Sequence, residues 1–352
     1  MSLDMNEFDR LRSDRLAYVD ALRRNKGFEE GILKLLTQLY PDNAHFIYEL
    51  LQNAEDANAS RVRFKLSNDS LIFEHNGKRL FTARDVESIT SIGDSTKADS
   101  ETEIGKFGVG FKAVFAYTKT PEIHSGNYHF RITNLLVPEL LETIYILSDE
   151  FQTAFRFPFN HLSKNASQAT SEIALALSSL EDTTLLFLTN IYQIDYELHD
   201  GTHGKLERIT PADKVQSKIL GKHIQVFVQT PTVTFVNSNW LIYSKAIKIG
   251  KDIRKKNSSV SIAFRLKEIT KKKSNSLWEI IPLQPGRVSI YFPAEKETSN
   301  LKFHIHAPFA STVARDSVRS CTGNTELLET ISQLTAESML DLREKNLLTL
   351  SA

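Results

Sequence analysis

Apolar residues return at helical spacing from Phe28 to Tyr40, at Ile32, Leu33, Leu35, Leu36 and Leu39, and Pro41 closes that segment. A second helix is predicted from about Ala44 to Ala57. It carries Glu49, Asn53 and Asp56 at i, i+4 and i+7, which at 100° per residue fall within a sector of about 60°. A carboxylate, an amide and a second carboxylate thus share one face. The period then drops to two: Arg61-Val62-Arg63-Phe64-Lys65-Leu66 alternates strictly, Asn68-Asp69 offers a turn, and Leu71-Ile72-Phe73 predicts the returning arm of a β-hairpin. The polar stretch Ser91 to Glu103 reads as a mobile loop ending at the cluster Gly105-Lys-Phe-Gly108-Val-Gly110.

Beyond the glycines, Phe111 to Tyr117 is helical in pattern, and strands are expected at Tyr128 to Thr133 and Ala154 to Phe159. Residues 160 to 180 are rich in Ser, Ala and Asn, a strand-like run Thr184 to Leu188 follows, and a boundary is placed near residue 190. The second half alternates at Ile224 to Gln229, Val260 to Phe264 and Val288 to Phe292, and a helix from about Thr325 to Leu342 closes the chain. The expected fold class is α+β, with one unit over 1–190 and a second, sheet-rich unit over 191–352.

A chain of 352 residues with 41% hydrophobic content is long enough for two domains with full cores. Lys and Arg (43) balance Asp and Glu (43), which argues against a chain held globally to nucleic acid or an anionic membrane. Cys321 stands alone, so no disulfide forms within the chain, and no run approaches the roughly 18 apolar residues of a membrane span. A cytoplasmic location is expected. The N-terminus lacks a secretory pattern, the second methionine suggests a cloning remnant before the native start, and the helical C-terminal pattern suggests continuation.

The order of acidic helix, strand, turn at Gly77, polar loop, Gly105-x-x-Gly108-x-Gly110, helix and strand resembles the GHKL superfamily of ATPases, which includes the 90-kDa heat-shock chaperones, the ATPase component of DNA gyrase, mismatch-repair ATPases and sensor histidine kinases. The wording of Phe46 to Ala57, Ile104 to Phe115 and Phe155-Arg-Phe-Pro158 is most similar to the chaperone and sacsin-like branch. The resemblance implies a two-layer α/β sandwich, the Bergerat fold, followed by a smaller α+β transducer-like domain. It implies ATP and Mg²⁺ as ligands, dimerisation on ATP binding, and either a client protein or further C-terminal domains as partners. A histidine kinase is disfavoured, because that branch lacks a glutamate one turn before the asparagine.

Chemistry gives each residue its reason. Asn53 offers a neutral hard oxygen suited to Mg²⁺. Glu49 is placed to orient and deprotonate a water, with Asp56 as support. Gly105, Gly108 and Gly110 let the backbone approach phosphates, and Lys112 or Lys106 adds a cation. Where the family carries Asp-x-Gly-x-Gly to accept from the adenine amino group, this chain has His75-Asn76-Gly77-Lys78-Arg79. A neutral imidazole accepts one hydrogen bond, and protonation below about pH 6.5 would remove that acceptor and weaken binding in acid.

Thr153 matches the threonine whose hydroxyl faces the nucleotide, Ser95-Thr96-Lys97 the start of a lid, and Arg315 an arginine that reaches the γ-phosphate. His304 and His306 alternate as His-x-His without a third ligand, which favours structural histidines over a metal. The basic run Lys245, Lys248, Lys251, Arg254, Lys255 and Lys256, with Lys271 to Lys273, is a candidate contact for nucleic acid. An alternative is therefore a nucleotide-gated interaction module with little turnover, within a larger scaffold or defence protein.

Overall fold

The computed structural model describes residues 5–23, 31, 46–91, 110–148, 150–161, 163–210, 221–231, 235–247, 259–269, 278–312 and 317–348. The predicted helix over 28–40 lies outside them except for Gly31, as does the polar loop beyond Ser91.

Strict alternation yields the burial it implies. In β1 (Arg61–Leu66) Val62, Phe64 and Leu66 enter the core while Arg61, Arg63 and Lys65 are half-buried on the other face. The turn is closed by side chains: Ser67 Oγ donates to the Asp69 carboxylate at 2.6 Å and accepts the Ser70 N–H at 3.1 Å. β2 (Ser70–His75) returns antiparallel, setting Phe73 opposite Phe64 and His75 opposite Val62.

On the β2 side follow β6 (Thr153–Pro158), β3 (Glu122–Ser125), β4 (Tyr128–Thr133) and β5 (Val137–Leu140). On the β1 side the order is β7 (Gln193–Glu197), β8 (His203–Ile209), β9 (Lys222–Gln229), β10 (Val236–Ala246), β11 (Ser259–Glu268), β15 (His304–His306), β13 (Arg287–Ile290) and β14 (Phe292–Thr298), with β12 (Trp278–Ile281) also on β11. The fold is mixed α/β, dominated by this one large, mostly antiparallel sheet; β1–β7 and β13–β15 are its parallel pairs among the described strands. The chain passes residue 190 directly into β7, which pairs with β1.

Five α-helices are described: α1 (Met5–Arg23) against β5, α2 (Phe46–Asp56), α3 (Ala83–Ile89), α4 (Ala166–Ser178) against β1, and α5 (Thr322–Glu344) against β10 and β11. Two hydrophobic clusters flank the sheet. β10 feeds both, Trp240 and Ile242 into the first, Leu241 and Tyr243 into the second, because successive side chains leave a strand on opposite faces.

Several expectations are corrected. The Ser/Ala/Asn-rich stretch contains α4, started by a reciprocal cap in which Asn165 Oδ1 accepts the Gln168 N–H (2.9 Å) and Gln168 Oε1 the Asn165 N–H (3.2 Å). Thr184 to Leu188 is no strand: a short 3-10 helix spans Asp182–Leu185, and the Arg208 guanidinium donates to the carbonyls of Leu185, Leu188 and Thr189, groups a neighbouring strand would otherwise use. The helix after the glycines is a 3-10 helix, Phe111–Ala116. Val288 to Phe292 is broken at Tyr291, whose φ of 69° turns β13 back on itself as β14.

Candidate functional site

α2 buries Phe46, Ile47, Leu50, Leu51 and Ala54, and with them Glu49, which is 5% exposed. A Cβ built at Gly110 would lie 2.1 Å from Glu49 Oε2 and 2.6 Å from its Cδ. Gly110 itself has ordinary right-handed helical dihedrals (φ −61°, ψ −46°), so a side chain there would be resisted by the Glu49 carboxylate and not by backbone conformation. The acidic helix and the last glycine of the cluster therefore meet. Gly105 and Gly108 lie outside the described residues, as do Lys106, Thr96, Lys97 and Arg315.

One turn along α2, the half-buried Asn53 lines a cleft with Ala57, His75, Arg79, Leu80, Phe81, Asp85, Ile89 and Phe155. The cleft holds about 30 Å³, well under the about 300 Å³ of the smallest usual ligand pockets. At its rim Arg79 pairs with Asp85 at 2.6 Å, and Asp85 also accepts the Thr82 N–H at the start of α3.

His75, 3% exposed at the end of β2, accepts the Gly77 N–H through Nδ1 at 3.1 Å. A Cβ on Gly77 would approach both Ala57 O and His75 Nδ1 to 2.8 Å, so this glycine too is held by close packing. Asn76 pins the corner, its Oδ1 accepting the N–H groups of Ser60 and Arg61, each at 2.9 Å. Burial pushes the His75 pKa down to about 4. Two expectations change in consequence: the unprotonated ring nitrogen is already used within the protein, and protonation moves from about pH 6.5 to about pH 4.

Thr153 stands opposite His75 across the β2–β6 pairing and is fully buried. Its Oγ1 lies 2.7 Å from Ser125 Oγ, which accepts the Phe81 N–H at 3.1 Å, so it braces the cleft wall without lining the cleft. Lys112 is corrected: its ammonium donates to the carbonyls of Ile89 (2.8 Å) and Leu135 (2.6 Å) within the core, where burial pushes its pKa down to about 7. It ties the end of α3 to the turn before β5.

Asp56 is exposed, whereas its neighbour Glu55 is buried. The Glu55 carboxylate accepts the N–H groups of Thr189 (2.7 Å), Asn190 (2.8 Å) and Ile191 (2.9 Å). Sequence reasoning passed over it; the available signal was its place one turn after Leu51 on the inward face. His304 and His306 accept the N–H groups of Arg287 (2.9 Å) and Tyr291 (3.3 Å), and no metal-ligating cluster occurs among the described residues. Of the basic run, Lys245 is described and pairs with Glu337 at 3.1 Å.

The Sacsin domain family matches residues 66–134, a segment that contains His75, Gly77, α3, Gly110 and Lys112. Protein NO VEIN of Arabidopsis thaliana is 26% identical over 228 residues, covering 52% of this chain and 8% of that protein. Sacsin of Homo sapiens is 26% identical over 243 residues, covering 51% of this chain and 5% of that protein. The chain is thus similar to sacsin at low identity over about half of its own length. It spans less than a tenth of the length of either curated relative. Among solved structures, the N terminal domain of a DNA repair protein overlays 87% of this chain and 98% of its own at a TM-score of 0.42 and 11% identity, which is too low to fix the architecture. No helix among the described residues is long and apolar enough to cross a membrane.

Proposed function

We propose that this chain binds a nucleoside triphosphate with Mg²⁺ and hydrolyses it to drive a conformational change, ATP being the triphosphate the GHKL resemblance implies. The observation that carries the reading is the seating of Glu49 on Gly110, which brings the acidic face of α2 against the end of the glycine cluster. Two hard oxygen donors, the Glu49 carboxylate and the Asn53 amide, lie one turn apart on α2, and Asn53 lines the cleft. Asn53 would hold Mg²⁺, whose contribution is to neutralise charge on the phosphate oxygens. Glu49 takes the proton of the attacking water. Its carboxylate cannot retreat toward the glycine, since Gly110 already backs it. α2, α3 and the β1-β2-β6-β3 portion of the sheet accord with a Bergerat sandwich, and the similarity to sacsin at low identity supports the same assignment. Dimerisation and a client protein follow only from the family resemblance.

The test is phosphate release from Mg²⁺-ATP and Mg²⁺-GTP by the wild type and by Glu49→Ala, with binding measured calorimetrically on the same samples. Loss of a general base should lower turnover by about 10²-fold or more while binding persists. Equal turnover by both proteins removes Glu49 from its role. Binding without turnover in the wild type favours the interaction-module alternative, and absence of binding overturns the nucleotide reading.

A further inference from the structure

Glu55 stands in the last turn of α2, the negative end of the helix dipole, where a carboxylate is disfavoured, and it is buried there. An acid at odds with its local setting takes its reason from its partners. Glu55 Oε1 accepts the N–H groups of Thr189 and Asn190 and the Asn190 side-chain amide (3.2 Å), Oε2 accepts the Ile191 N–H, and the Glu55 carbonyl also accepts from that amide (3.2 Å). The far side of the same turn is gripped by Arg208 on β8, whose guanidinium donates to the Thr189 carbonyl at 3.3 Å and to those of Leu185 and Leu188. Thr189 thus gives its N–H to the anion and its carbonyl to the cation. Burial pushes the Arg208 pKa down and the charge of Glu55 opposes that shift, as expected of two charges facing each other across one peptide unit.

We propose that Glu55 and Arg208, joined through the turn 189–191, are positioning residues that fix the setting of α2 along its own axis, and with it Glu49 against Gly110 and Asn53 at the cleft. The functional half of this inference rests on the hydrolysis reading of the site. Phe46, Ile47, Leu50, Leu51 and Ala54 set how deeply α2 sits in the core, but apolar contact is non-directional and resists an axial slip less sharply than hydrogen bonds do. Four hydrogen bonds on one carboxylate define a place. Glu49 lies six residues back, about 9 Å along the same helix, so a slip at Glu55 reaches it undiminished. The turn leads into β7, which pairs with β1 and β8, so α2 takes its reference from the sheet itself.

Gly110 supplies a ruler for the setting of α2 that needs no nucleotide, since a methyl there presses on Glu49. Urea midpoints are measured for the wild type, Gly110→Ala, Glu55→Gln and the double variant, with Arg208→Lys as a second background in place of Glu55→Gln. Glutamine keeps the shape of the side chain and one acceptor oxygen but turns amide hydrogens on the donors; lysine keeps the cation and loses the fork. Glu55 touches the turn and Gly110 touches Glu49, so a clasp that adds only local stability leaves the two effects additive. A clasp that holds α2 lets the helix yield to the methyl once it is cut, and the midpoint shift caused by Gly110→Ala should then shrink to about half or less in both backgrounds. Saturated turnover of Mg²⁺-ATP, measured well below each midpoint, should fall about tenfold or more in Glu55→Gln and in Arg208→Lys while ATP still binds. Additive midpoints in both backgrounds overturn the positioning of α2, whatever the nucleotide results. Halved shifts with unchanged turnover overturn its link to the chemistry. Halved shifts in a protein whose wild type binds neither ATP nor GTP uphold the clasp and overturn the hydrolysis reading.

Discussion

Gly110→Ala separates the space a residue needs from the conformation it adopts. Alanine suits the right-handed helical dihedrals of position 110, and at an unobstructed site the change would stabilise by about 0.4–1 kcal/mol. Here the new methyl would sit 2.1 Å from Glu49 Oε2, so a carboxylate that is 5% exposed must move by roughly an ångström against packed neighbours. Overpacking of that kind costs about 1–3 kcal/mol, which leaves a net loss of about 1–2 kcal/mol. Replacing Glu49 by alanine removes the obstacle. In that background Gly110→Ala should become stabilising, and the cycle of four proteins should give a coupling of about 2 kcal/mol. Urea denaturation of the four proteins measures it. The same methyl displaces the proposed base, so Gly110→Ala should lose turnover and keep nucleotide binding, as Glu49→Ala does. Stabilisation of equal size in both backgrounds would refute the contact and the role built on it.

Two adjacent carboxylates on α2 should behave oppositely. Glu55→Ala strands the N–H groups of Thr189, Asn190 and Ile191 and should cost about 3 kcal/mol, whereas Asp56→Ala at an exposed position should stay within about 0.5 kcal/mol; equal urea midpoints for the two variants would contradict the assignment. Acid should weaken the fold through its buried histidines. His75 and His306 hold folded pKa values near 4 because burial disfavours the cation, while the unfolded chain protonates near pH 6.5, so the unfolded state takes up more protons as pH falls between those values. The contribution of the neutral rings is full above about pH 6.5 and should fall by about 2 kcal/mol per histidine on reaching pH 5. Substituting His306 by a residue that does not titrate should flatten part of that slope, and a urea midpoint unchanged from pH 7 to pH 5 would show that neither ring is held neutral.

β1 was legible because every other residue is apolar, and the turn after it because Ser67, Asp69 and Ser70 bond to one another. α2 was legible from its helical spacing, but the role of each acid on it was not. Glu55 earns its burial from backbone donors more than 130 residues away, a relation that periodicity cannot carry. Asp56, one position on, turns to solvent. Lys112 follows a glycine cluster and so pointed toward phosphate, yet the 3-10 turn beginning at Phe111 sends its ammonium to two core carbonyls. α4 was obscured by composition, since its inward stripe of Ala169, Ile173 and Leu177 is sparse, and the Asn165–Gln168 cap was the signal to weigh. At His75 the sequence revealed a substitution, while the sense of its hydrogen bond required the position of the Gly77 N–H.

β10 serves as a party wall. Trp240 and Ile242 face one core, Leu241 and Tyr243 the other, and Tyr243 is bonded through its hydroxyl to Asp341 on the closing helix. A strand furnished on both sides cannot be withdrawn from one room without baring the other, so damage to the α5 side is transmitted to the sheet that continues, strand by strand, to His75. The same continuity offers a mechanical route by which events at the cleft reach the far end of the chain.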